Sequence, residues 1–325
     1  MNKLVICVIA LALALAAPMV LYPVFLMKVL CFALFACAFN LLIGFTGLLS
    51  FGHAAFFGGA GYVAGYALTQ LGLSPELGIV LGTLVAAAIG LVMGALAIRR
   101  QGIYFTMITL ALAQMLFFVF MQLKFTGGED GLQGVPRGKL FGLLSLADDR
   151  VMYYVVLAIA VGGFALIVRV VHSHFGQVLK AIKENEPRAV SLGYDVDKYK
   201  LLAFVLSAGL SGLAGATKTL VLGFETLTDV HWTMSGLVVL MTLVGGLGTL
   251  AGPIVGAIII IALENKLGEL GNWLASATHV EWFRSIGESV TIVTGLIFIL
   301  CVLAFRRGIV GELVARLGKR AAPAS

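Results

Sequence analysis

Asn40, Thr46, Ser50 and His53 fall in NLLIGFTGLLSFGHAAFFGGAGYVAG, a run that is otherwise apolar and rich in glycine. Tyr104, Thr106, Thr109 and Gln114 are placed in the same way in GIYFTMITLALAQ. These side chains can donate and accept hydrogen bonds. In apolar surroundings they either bond across packed helices or line a polar route for a small solute. The small-xxx-small pair Gly61 and Gly65 favours close helix packing, and a lone His53 is more often a structural donor than a proton relay. Gly248, Gly252 and Gly256 recur every four residues in GLGTLAGPIVGA and give a smooth strip on one helix face, with Pro253 kinking or starting that helix. Packing accounts for the strip, but a bend beside a smooth strip also suits a moving gate. Lys218 lies near one end of an apolar stretch. At mid-bilayer a lysine costs about 2.5–3.5 kcal/mol, so it is expected to snorkel to the surface.

None of these groups forms a catalytic constellation. The sequence has no H-E-x-x-H, no G-x-S-x-G and no metal-spaced His/Cys cluster. Gly138-Lys139 and Gly318-Lys319 lack the upstream glycine and the Ser/Thr of a phosphate loop, so no cofactor is expected in this chain and ATP is not bound in that manner. Cys7, Cys31, Cys37 and Cys301 sit in apolar runs without paired spacing and read as inert core thiols.

The elements that must position these residues follow from composition. Hydrophobic residues make up 60% of the 325 and charged ones 12%, at a mean hydropathy of +1.05. Apolar windows recur that match a bilayer core of about 30 Å. The chain reads as an all-α polytopic membrane protein, a single transmembrane domain over 1–325, in contact with lipid. Its pI near 9.2 reflects membrane orientation rather than nucleic-acid binding. Spans are predicted near 4–22, 28–45, 54–70, 77–98, 103–123, 151–171, 200–222, 235–247, 249–263 and 286–305, the first taken as an uncleaved helix. Two short helices are expected to meet at Gly245–Gly248. Ten crossings put both termini on the cytoplasmic side. That side then holds most of the 22 basic residues, but of the acids only Glu184, Glu186, Asp195, Asp197 and Glu312. The loop at about 124–150, with the turn-rich TGGEDGLQGVPRG, falls outside, and 306–325 forms a short cytoplasmic tail. An odd number of crossings in each half implies inverted halves, a transporter architecture.

The longest polar interruption is His172–Lys200, HSHFGQVLKAIKENEPRAVSLGYDVDKYK. Phe175, Val178, Leu179 and Ile182 recur at i, i+3, i+4 and i+7 and share one helical face, with Lys180, Lys183 and Glu184 off it. Pro187 suits the first turn of a second short helix, and Gly193 suits its C-cap. Such a pair either rests on lipid headgroups or docks on a soluble partner.

GFTGLLSFGHAAFFGGAGY, GIYFTMITLALAQ, TGGEDGL, LKAIKENEPRAVSLGYDVDKYKLLAFVLSAGLSGLAG and LVGGLGTLAGPIVGA together resemble LivM-type permeases of high-affinity branched-chain amino-acid ABC importers. The likeness runs in order through most of residues 38–310. It implies a bacterial inner-membrane subunit with a ten-helix fold similar to the cobalamin importer's membrane subunit. It also implies a LivH-like second permease, two cytoplasmic ATPase subunits that bind ATP-Mg, and a periplasmic substrate-binding protein. The loop matching Ala181–Gly193, which includes Asn185 and Glu186, would contact the ATPase. The wider family also moves urea, short amides and aromatic acids. The pattern departs at Leu237, where many members of the family carry an acidic residue, and at Lys218, which is unusual for its position. A secondary transporter driven by an ion gradient is the competing class, and would want ionisable residues at mid-membrane.

Overall fold

A computed structural model describes residues 3–142 and 144–278, together with 295, 296, 299, 303 and 308–312. Its helices are α1 (Lys3–Ala16), α2 (Pro23–Thr46), α3 (His53–Thr69), α4 (Pro75–Ala97), α5 (Ile103–Gln122) and α6 (Asp149–His172). Then follow α7 (His174–Glu184), α8 (Glu186–Ser191), α9 (Val196–Leu222), α10 (Leu227–Val230), α11 (Trp232–Gly245) and α12 (Gly252–Thr278). Five of them, α2, α4, α5, α6 and α9, are long and apolar enough to cross a membrane.

α9 is the helix around which the others pack. Asp195 caps its N-terminus by accepting from the Lys198 amide, and Gly223 ends it in the left-handed region at φ 76°. Small residues bring α2, α3 and α4 close to it. A side chain at Gly215 would run into the Phe57 carbonyl of α3, so only glycine allows that approach. α6 and α12 also pack on α2, and α11 lies against α12. Phe35, Phe39, Phe56, Phe57 and Phe204 fill the interior and are fully buried. Cys31 and Cys37 are buried free thiols; the side chain of Cys7 and all of Cys301 lie outside the described residues.

Most predicted spans coincide with helices. The second of the two helices expected in 235–263 does not stop at 263: α12 continues to Thr278 as a 27-residue helix. α11, at 14 residues, is as short as its sequence suggested. The predicted span 286–305 and the tail 306–325 lie largely outside the described residues. Between α5 and α6 the chain forms 3-10 turns and an antiparallel pair, β1 (Lys139–Leu140) with β2 (Leu144–Ser145).

Candidate functional site

The polar interruption folds as the two short helices its sequence requires. Ser173 caps α7 and Asn185 caps α8, with Pro187 in the first turn of α8. Gly193 follows at φ 87°, a conformation other residues adopt at a cost. The apolar stripe of α7 turns towards its own chain. Leu179 and Ile182 are buried, Phe175 stacks on Tyr199 with ring centroids 5.6 Å apart, and Val178 packs beside Ile182, Ala189 and Val196. Glu186 is a brace: its Oε1 accepts from Lys200 Nζ at 2.6 Å and from Gln101 Nε2 at 2.8 Å. Glu184, Asn185, Arg188, Val190, Leu192 and Tyr194 remain exposed. An amphipathic pattern reports that one face is covered but not by what; the apolar side chains left exposed are Val190 and Leu192, inside the loop 181–193 that the resemblance marks, and Tyr194 just beyond it.

Lys183 reaches from α7 into the membrane helices. Its Nζ donates to the Gly44 carbonyl at 2.7 Å, one of the last four carbonyls of α2, which have no partner within the helix. One turn back, Asn40 is buried and grips the break between α11 and α12. Its Nδ2 donates to the Thr249 carbonyl at 2.8 Å and its Oδ1 accepts from the Gly248 amide at 3.0 Å. That break has left-handed backbone at Gly248, φ 72°. Gly248 therefore lies in the turn, not on the helix face with Gly252 and Gly256. A side chain at Gly252 would strike the Gly245 and Gly246 carbonyls, and one at Gly256 the Met241 carbonyl, so both seat α12 on α11. Pro253 sits in the first turn of α12 and starts that helix.

The segment between α2 and α3, residues 47–52, is irregular backbone set into the helical body, with Leu48, Ser50 and Gly52 buried, and such backbone is tolerated only where partners satisfy it. Thr106 donates to the Leu49 carbonyl at 2.9 Å, and Thr109 accepts from the Phe51 amide at 3.3 Å. Ser235, which the sequence reading missed, donates to the Phe51 carbonyl and accepts from the Ala54 amide, both at 2.8 Å. Ser50 accepts from the Gly52 amide, and Thr46 donates back to Leu42. A cavity of about 230 Å³ lies between this segment and the start of α5, lined by Gly47, Leu49, Ile103 and Thr106 among others. His53 is fully buried among Phe39, Phe56 and Phe204. Its Nε2 meets Ser207 Oγ at 2.8 Å, while Ser207 donates its own hydroxyl to the Ala38 carbonyl at 2.6 Å. The imidazole is therefore the donor to Ser207. Tyr104 is exposed and Gln114 half-buried; neither joins this network.

At the end of α9 away from α7, Lys218 does not snorkel. It is buried, with Nζ 2.5 Å from Asp229 Oδ2 and 3.2 Å from Glu225 Oε2. Thr219 also donates to Glu225 Oε2, at 2.5 Å. Burial is possible because the partners follow the Gly223 turn and fold back over the lysine. The loop after α5 closes the cluster: Leu132 and Glu225 exchange backbone hydrogen bonds at 2.9 and 2.8 Å. Gly61 of α3 leaves room for Glu225, and Gly65 for Leu132. Two carboxylates seven and eleven residues after a lysine in an apolar stretch were the signal for this cluster. Among the described residues no cluster of His, Cys, Asp and Glu could hold a metal ion.

Comparison with known proteins agrees with this helical body. The family described as branched-chain amino acid transport system / permease component matches residues 23–305. The chain is 25% identical over 257 residues to the high-affinity branched-chain amino acid transport system permease protein LivM of Salmonella typhimurium. It is 26% identical over 257 residues to the LivM protein of Escherichia coli K12. Each alignment covers 72% of this chain and 60% of the relative, so only part of the relatives' length is matched. The ribose import permease protein RbsC of Bacillus subtilis is 26% identical over 73% of this chain and 70% of its own. With its apolar helices and a match over most of its length, this multi-pass membrane protein belongs to the branched-chain amino acid transport permease family.

Proposed function

We propose that the chain is one membrane half of an ATP-driven importer in a bacterial inner membrane, with branched-chain or related hydrophobic amino acids as cargo. It carries no catalytic site of its own. A LivH-like permease forms the other half, two cytoplasmic ATPase subunits bind and hydrolyse ATP-Mg, and a periplasmic binding protein delivers the cargo. Both termini and α7–α8 face the cytoplasm.

The observation that carries this reading is the α7–α8 pair. It presents Val190, Leu192 and Tyr194 outward while Lys183 holds the end of α2. A partner seated on α8 can therefore move α2 and, through Asn40, the α11–α12 break. The α2–α3 segment and its cavity lie at the same end, where a shift of α2 changes the shape of the route. Likeness to a ribose permease at similar identity supports a second reading of the cargo alone: the same machine moving another small solute. The test is reconstitution of the chain with its second permease, ATPases and binding protein in proteoliposomes. ATP-dependent uptake of leucine or isoleucine is expected. Uptake of ribose alone would replace the cargo, and uptake driven by an ion gradient with ATP hydrolysis abolished would overturn the proposal.

A further inference from the structure

The Lys218 cluster does not balance in charge. One ammonium faces two carboxylates, and all three side chains are shut off from solvent, with exposures of 4% for Lys218, 0% for Glu225 and 7% for Asp229. The other groups around it are neutral. α3 contributes Tyr62, α2 contributes the thiol of Cys31, and the rings of Phe57 and Phe224 lie 5.8 and 6.0 Å from Lys218 Nζ. The loop after α5 contributes the backbone of Leu132. Arg137 of that loop is engaged elsewhere, by Asp149 and the Val221 carbonyl. Among the described residues no second cation reaches either carboxylate. A full negative charge would thus be left in a sealed apolar site, which is strongly unfavourable unless it is paired or neutralised.

The hydrogen bonds say which carboxylate keeps its charge. Asp229 Oδ2 accepts from Lys218, from the Thr226 amide at 3.3 Å and from the Thr226 hydroxyl at 2.7 Å. It is well served as an anion. Glu225 has the longer contact to Lys218, and its Oε1 is buried without a partner, as is the Tyr62 hydroxyl. A bare carboxylate oxygen is costly in such a place, and a neutral carboxylic acid costs much less.

We propose that Glu225 is a buried proton-binding site: in the folded protein it holds one proton, the Lys218–Glu225–Asp229 cluster is neutral, and the neutral cluster fastens the loop after α5 to the end of α9. The bound proton is sealed beneath the Leu132–Glu225 backbone pair, so lifting that loop and ionising Glu225 are one linked event. Burial, reinforced by Asp229 and opposed by Lys218 and Thr219, raises the Glu225 carboxyl above the ordinary carboxylate range. A raised folded-state value gives stability that is complete below the unfolded value, about 4.3 for Glu, and is lost as pH rises through the folded value. Closure of this end is therefore favoured at acidic pH and weakened at alkaline pH. Neither the cargo nor the ATPase partner enters this inference.

The test uses the purified full chain in detergent, with thermal midpoints measured from acidic to alkaline pH and difference infrared spectra of the carboxyl region. Wild type is expected to show a protonated-carboxyl band and a midpoint that falls with rising pH. Glu225→Gln should lose the band, remain folded and lose that part of the pH dependence. Asp229→Asn should also remain folded but lose the band, because Glu225 then ionises as the sole partner of Lys218. The double variant leaves the lysine unpaired and should lose folded protein. Absence of the band in wild type, or a midpoint for Glu225→Gln depressed equally at every pH, would overturn the proposal. The second result would mean that an ionised Glu225 is what Lys218 requires.

Discussion

Lys183 Nζ lies 2.7 Å from the carbonyl oxygen of Gly44, joining the amphipathic element to the last turn of α2. The contact satisfies a carbonyl that the helix cannot, and it places a cation at the negative end of the helix dipole. Lys183→Met removes both effects. It is expected to cost about 1–3 kcal/mol through the unpaired carbonyl and to reduce stimulated ATP hydrolysis in the assembled complex, whereas Lys183→Arg keeps a donor and retains part of it. Thermal unfolding and hydrolysis assays read the two effects separately.

Asn40 extends the same line to the α11–α12 break. Asn40→Ala frees the Gly248 amide and the Thr249 carbonyl together, so each loses a buried partner at about 1–3 kcal/mol. Asn40→Asp preserves the acceptor for Gly248 but sets a carboxylate against the Thr249 carbonyl, and should do no better. Unchanged stability in Asn40→Ala would show that the break holds itself together.

Helix positions were legible from the sequence because a span needs a long apolar run, and the short helix α8 is bounded by Pro187 in its first turn and Gly193 after its end. The direction in which a face points was not legible. The stripe through Leu179 and Ile182 has the same period whether it meets its own chain or a partner. The fate of Lys218 was hidden for a related reason. Its partners, Glu225 and Asp229, lie beyond a turn, and only the folded chain brings them over it. Asn40 was singled out as a polar residue in an apolar run, but its partners are more than two hundred residues away.

Gly252 and Gly256 carry a packing prediction. A leucine at either position meets backbone of α11, which cannot move aside as a side chain can. Overpacking of this kind costs about 1–3 kcal/mol or more. Gly252→Leu and Gly256→Leu should lower the yield of monodisperse protein, while Gly162→Leu, at a position open to its surroundings, should not. Equal yields for all three would remove the strip from the fold's requirements.

His53 carries a prediction about pH. It donates to Ser207 inside a shell of aromatic rings and reaches no carboxylate among the described residues. His53→Gln can keep a donor towards Ser207, so uptake should retain the wild-type pH profile even if its amplitude falls. A profile that flattens or shifts in this variant would make the imidazole a proton carrier.

Topology is tested by single cysteines in a background without native ones. Labelling from outside intact spheroplasts should reach a cysteine at Glu129, which is exposed in the loop after α5, and should spare one at Lys183. Reagent reaching position 183 from outside would reverse the proposed orientation and with it the side from which ATPases approach.

The last prediction separates the two faces of the α7–α8 pair. Ile182 is buried against Ala189 and Val196, so Ile182→Asp puts an uncompensated charge inside the element itself. The expected result is local unfolding of residues 174–199, seen as new protease cleavage there, with loss of ATPase association as a consequence. Leu192 is 68% exposed and joins none of the hydrophobic clusters formed by the described residues. Leu192→Asp should leave the cleavage pattern and thermal midpoint of the isolated chain unchanged. It should still weaken co-purification with the ATPases, because a charge then has to be desolvated in the contact. Tyr194, 41% exposed beside it, also meets Tyr199 edge-on at 6.0 Å, so Tyr194→Asp should weaken co-purification together with a small loss of thermal midpoint. A lipid-resting element predicts a different pair of results: Leu192→Asp weakens membrane contact but leaves the ATPase bound and stimulated. Wild-type co-purification and stimulation in both Leu192→Asp and Tyr194→Asp would therefore take α8 out of the coupling path.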